Sequence, residues 1–214
     1  MILEKNPKTR PIYRKLLDLA DRVKGKPFPG MRRVRQITSY HCGPAVLGML
    51  FSHLGQKISQ KSVVKCLRAQ SKIKKVGLTV ADLAKASNTL GKKRYAFWRK
   101  AGASTSDLDL AINKYNWPVG VEWQGVFFEF ADEDNGHYGV VTAVDAKAKI
   151  LRIADPYSEF AGVDRKFDTK YFTRRWWDEN EIKGKTVKDR RMMFVITPKN
   201  ENWPRKIGMV KMNI

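Results

Sequence analysis

Cys42 stands directly before Gly43-Pro44, and an apolar run follows as far as Phe51. Proline is tolerated in the first turn of a helix, where its missing N–H has no intrahelical partner to lose. The pattern therefore predicts a helix from Cys42 to His53 or Leu54, stopped by Gly55, with the cysteine sulfur at its N-terminus. Unpaired N–H groups and the positive end of the helix dipole favour a thiolate there. A thiolate so placed is a nucleophile wherever a base can reach it. The competing reading is a small buried hydrophobe, the commoner role of a lone cysteine. Cys66, between Lys65 and Leu67 in a helical stretch, fits only that second role.

The chain has three histidines that could act as the base: His41, His53 and His137. His41 adjoins Cys42, and side chains of neighbouring residues diverge. His53 lies 11 residues further along the same helix, which at 1.5 Å per residue is about 16 Å away. His137 remains by elimination. It follows Asn135-Gly136 and opens a strand through Val140-Val141, although a surface histidine at a strand start is an equally ordinary role. An imidazole base needs a partner that fixes its tautomer. Asp155 ends the strand Ile150–Ala154 and precedes Pro156, so a hairpin turning near Ala146-Lys147 puts His137 and Asp155 at one end of two paired strands. Asp145 and Asp164 do not share that placement. An aspartate before proline is also a common turn former.

The residues around these three carry a resemblance. The segment from Gln36 to Ala45, reading Gln-x5-Cys-Gly-x-Ala, resembles the opening of C39-type, papain-like cysteine peptidases. Gly136-His137-Tyr138 and Ala154-Asp155-Pro156 are similar to the family's His and Asp-Pro blocks, in order and at similar separations. Gly77-Leu78-Thr79 and Trp117-Pro118-Val119 look like its helix-opening turn and its strand before the His block. The likeness extends over roughly residues 32–200. It implies a Cys42–His137–Asp155 triad, and a role for Gln36 that its surroundings do not suggest. The Gln36 side-chain amide and the Cys42 backbone N–H would form the oxyanion hole. No cofactor or metal is implied. The best-known members cut leader peptides after a double glycine and are fused to membrane exporters, a specificity not expected here because the chain has no membrane segment. The expectation is a stand-alone cysteine peptidase acting on a peptide or protein. An amidase, deamidase or acyltransferase using the same triad is the alternative.

The elements that must hold these groups read as helices first and strands afterwards. Ser59 and Thr79 are candidate helix caps, the latter with Asp82 three residues on as a capping box. Thr105 or Ser106 opens a further helix. Short strands are predicted at residues 32–34, 119–123, 138–144, 150–154 and 193–196, with a tail held down by Trp203. That order indicates an α+β fold, a helical half packed on a largely antiparallel sheet. Residues 1–30 read as a basic N-terminal extension with one helix from Pro11, and residues 31–214 as the peptidase domain.

Composition bounds the rest. Of 214 residues 43% are hydrophobic, and six tryptophans argue against disorder. No apolar run nears the ~18 residues of a membrane span, and no signal sequence opens the chain. Two cysteines are too few for a disulfide framework. A soluble, cytoplasmic protein is expected. Its 42 Lys and Arg against 21 Asp and Glu give a net charge of +21. Residues 22–81 hold 13 basic residues and no carboxylate. Such a field favours an acidic peptide, a nucleic acid or another polyanion, or serves only solubility. A nucleic-acid-binding protein with a vestigial triad therefore stays open, although no recognition motif for it is visible. The acidic residues at 129–134, just before His137, read as a solvated loop or a cleft lining.

Overall fold

The protein is described here by a computed structural model covering residues 22–23, 27–127, 136–182 and 184–213. The helix expected from Pro11 and the acidic residues at 129–134 lie outside the described residues. β1 (Arg22–Val23) falls within the expected extension and pairs with a strand of the main sheet.

Helix α1 (Cys42–His53) has no polar face, and residues Gly43 to Phe51 are all buried along it. A helix apolar all round has to be central. Accordingly α1 is packed between the sheet on one side and two helices, α2 (Gln60–Cys66) and α4 (Val80–Leu90), on the other. Ser59 caps α2 through a hydrogen bond from the Ser62 N–H, and the Thr79–Asp82 capping box opens α4 as expected. Between them lies α3 (Gln70–Val76), which has no side-chain cap and which the sequence does not announce. Helix α5 (Thr105–Asp109) begins at Thr105, one of the two expected openings. Its cap is Ser104, boxed by Asp107, and the chain continues through a π-turn at Leu110–Lys114.

The strands are β2 (Tyr95–Lys100), β3 (Val119–Gln124), β4 (Gly136–Asp145), β5 (Ile150–Ala154) and β6 (Asp164–Asp168). After helix α6 (Thr169–Arg175) come β7 (Trp177–Ile182), β8 (Lys185–Arg190) and β9 (Met192–Pro198). The chain then forms α7 (Trp203–Lys206) and β10 (Val210–Lys211). Among the described residues eight strands make one antiparallel sheet in the order β1-β6-β5-β4-β3-β9-β2-β10, and β7 and β8 pair separately as a hairpin. The fold is α+β and papain-like, with a mainly helical first half packed on the antiparallel sheet. No helix among the described residues is long and apolar enough to cross a membrane.

Two expectations change. Residues 32–34 are not a strand. Their backbone is spent on loop contacts, with the Arg32 N–H on Ser52 Oγ and the Gln36 N–H on the Pro156 carbonyl. The tail is more than a strand end. It folds as α7, buries Trp203, and returns as β10 to cover the edge of β2.

Candidate active site

The geometry of β4 and β5 sets the first distance. Val140 pairs with Ala154 and Asp145 with Ile150, so His137 and Asp155 emerge at the same end. His137 Nε2 stands 2.8 Å from Asp155 Oδ1, with both side chains buried. With Nε2 occupied, Nδ1 is the ring nitrogen left for the Cys42 sulfur, which acts electrostatically on His137. Burial by itself would lower the His137 pKa, but the Asp155 carboxylate and the Cys42 sulfur outweigh it and raise it to about 10. Burial would likewise raise the Asp155 pKa, but His137, Arg165 and the Tyr157 N–H hold it below its ordinary value.

Cys42 occupies the first position of α1, so its own N–H has no intrahelical acceptor. Gly43 lets the strand approach this helix mouth. A Cβ there would lie 3.2 Å from Leu83 Cδ2 and 3.4 Å from the Tyr138 ring. Gln36 is buried, and its Nε2 donates to the Thr38 carbonyl at 2.9 Å and the Ser39 carbonyl at 3.1 Å. Its Oε1 has no partner among the described residues. Gln60, unremarked in the sequence, clamps both flanks of Gln36, donating to the Arg35 carbonyl at 2.7 Å and accepting from the Ile37 N–H at 3.0 Å. An open cleft of about 580 Å³ lies between residues 35–39 and Tyr157-Ser158.

The family model described as the Peptidase_C39 like family matches residues 29–182. The chain belongs to this family. Among solved structures it is similar to the peptidase domain of Streptococcus ComA, described as a bi-functional ABC transporter involved in quorum sensing. Identity is 20%, the match covers 79% of this chain and 99% of that one, and the TM-score is 0.57. That likeness carries the fold. No curated protein sequence matches significantly. Family and fold together support a hydrolase of the cysteine-peptidase type.

Within this C39-like frame the remaining candidates are placed elsewhere. His41 stands at the N-cap of α1 without a side-chain cap bond, its Nδ1 paired instead with Thr38 Oγ1. His53 bonds the Pro29 carbonyl at 2.9 Å and packs edge-on against Trp117. Burial lowers the pKa of both. Cys66 donates to the Val63 carbonyl, and burial raises its thiol pKa. Asp145 caps the β4–β5 turn through the Ala148 N–H, and Asp164 pairs with Arg33 at 2.7 Å. Two site neighbours escaped the sequence. Phe127 meets the His137 ring edge-on at 5.0 Å, and Arg165 reaches Asp155. Each lies ten residues from its partner and is brought to it by the folding of the strands and loops, which leaves no local pattern.

Proposed function

We propose that this C39-like protein is a peptidase that works through a thioester, with Cys42 as nucleophile, His137 as base and Asp155 as its orienter. The observation that carries the reading is a buried His137 held at 2.8 Å by a buried Asp155 whose two oxygens are both hydrogen-bonded, with the Cys42 sulfur acting on the same imidazole. In this reading the Cys42 sulfur attacks the peptide carbonyl carbon, a C–S bond forms, and the π-electron pair moves onto oxygen. The Cys42 N–H and one N–H of the Gln36 amide stabilise that oxyanion, the amide giving up its bond to Thr38 or Ser39. His137 Nδ1 delivers its proton to the departing nitrogen as the C–N bond breaks. Water then attacks the thioester, losing a proton to His137, and release of the acid returns that proton to the Cys42–His137 pair. No step calls on a cofactor.

The stand-alone action and the peptide substrate belong to the same proposal. Product analysis separates it from deamidation or acyl transfer, since a cut backbone, a converted glutamine and a new amide differ in mass. The decisive experiment is Cys42→Ala against wild type on a peptide library. Residual cleavage above about 1% in a clean preparation overturns the nucleophile assignment, because losing a covalent nucleophile costs orders of magnitude.

A further inference from the structure

Arg165, on β6, is 2% exposed, and arginine is almost never so buried unless paired. Its Nη1 donates to Asp155 Oδ2 at 3.3 Å and to the Val126 carbonyl at 2.9 Å. The guanidinium carbon lies 3.6 Å from the centroid of the Phe160 ring and 4.9 Å from that of Phe167. Stacking of this kind fixes the plane of a guanidinium in a way an ammonium cannot match. Both bonded partners belong to the site. Asp155 receives His137 Nε2, and Val126 precedes the Phe127 ring that covers the imidazole. The neighbouring Asp164 takes other partners, Arg33 and Thr142.

We propose that Arg165 is a positioning residue of the Cys42–His137–Asp155 site, holding Asp155 and the Val126-Phe127 segment in one frame and offsetting part of the charge that Asp155 presents to His137. The inference rests on the peptidase reading above. The groups acting on His137 are Cys42 from α1, Asp155 after β5 and, through Asp155, Arg165 from β6. Glu122 on β3 and Asp178 on β7 act on the adjoining Tyr138 hydroxyl. Without the arginine, the carboxylate charge is less compensated. Imidazolium then keeps its proton to higher pH, and the thiolate also forms at higher pH.

The test needs no known substrate. The rate of Cys42 alkylation by iodoacetamide is measured across pH by peptide mass spectrometry, with Cys66 as the reference thiol in the same molecule. Wild type gives a plateau bounded below by thiolate formation and above by loss of the imidazolium proton. Arg165→Met and Arg165→Gln should move both limits up, by as much as about one pH unit. Arg165→Lys keeps the charge and should leave the limits in place, with the plateau rate down about tenfold because the framing is lost. Neutral variants with unmoved limits, or a lysine variant with the wild-type plateau or with limits displaced like those of the glutamine variant, overturn the proposal. If the neutral variants do not fold, the lysine variant decides by the same criterion. A wild-type Cys42 that reacts no faster than Cys66 at any pH removes the peptidase reading instead.

Discussion

The proton affinity of His137 is set by what surrounds its imidazole. Burial works against the charged ring, but Asp155 at 2.8 Å and the Cys42 sulfur together outweigh it. A histidine pKa raised to about 10 means that the fold favours imidazolium, so the stability it contributes is complete below its ordinary 6.5 and is lost as pH rises towards 10. His137→Ala should cost about 10²–10⁴ in kcat, the usual worth of a positioned acid–base group. Asp155→Asn should cost less, since the role proposed for Asp155 is to hold a tautomer and not to move a proton; steady-state kinetics with full activity in Asp155→Asn would refute the orienter role. Gln36→Ala should cost about 10²–10³ in kcat with KM little changed, as expected of a donor that acts on developing charge; an altered KM at constant kcat would make Gln36 a binding residue. Cys42, His137 and Asp155 could be read because each carries a local mark: a Gly-Pro helix start, a strand opening, an Asp-Pro turn. Gln36 has no such mark and entered only through the family resemblance. Arg165, Phe127 and Gln60 are set by contacts between distant segments, which no spacing reveals.

At the scale of elements, the site is built where α1 meets β4, and a buried acid lies on the neighbouring strand. Glu122 of β3 is 1% exposed and accepts hydrogen bonds from the Tyr138 hydroxyl and from Asn180. Its second oxygen has no partner among the described residues. Burial pushes its pKa from 4.5 up to about 7, with Asp189 adding to the rise against the two hydrogen bonds. The folded value lies above the ordinary one, so the contribution is whole below about pH 4.5 and is lost between there and about pH 7. Ionised Glu122 then costs the fold about 3 kcal/mol. Glu122→Gln should raise Tm by several degrees at pH 8 and change little at pH 4.5; calorimetry giving the same increment at both pH values would count against this. The elements that escaped the sequence share a physical cause. β8 is polar and mostly exposed, so its hairpin with β7 lacks alternation. β2 buries three consecutive residues and does not alternate either. α3 starts at Ala69 without a capping side chain. By contrast α1, the Thr79 capping box and β3 to β5 were legible because apolar burial and local hydrogen bonding agree there.

The whole molecule carries +21, and the carboxylate-free residues 22–81 include Cys42, Gln36 and the cleft residue Arg35. Arg35 is exposed, and its backbone carbonyl is held by Gln60, which keeps this stretch of the cleft wall in place. Further round, Lys61, Lys65, Lys74 and Lys75 are exposed on α2 and α3, and the first carboxylate after this stretch, Asp82, pairs with Lys72. A positive cleft wall set in a positive field should draw acidic peptides and speed their encounter. The gain would appear in kcat/KM at low salt and fade as the screening length shortens to about 8 Å at 0.15 M. A field that serves only solubility makes the opposite prediction, because lysines on helix faces away from the cleft act equally on every substrate. Matched acidic and basic peptides compared at two ionic strengths separate the two, and Arg35→Glu then reports how much of the preference belongs to the cleft. A preference of about tenfold for the acidic peptide at low salt, shrinking with added salt and weakened by Arg35→Glu, supports steering into the site. Equal kcat/KM for both peptides at both ionic strengths rules steering out and leaves the charge to solubility.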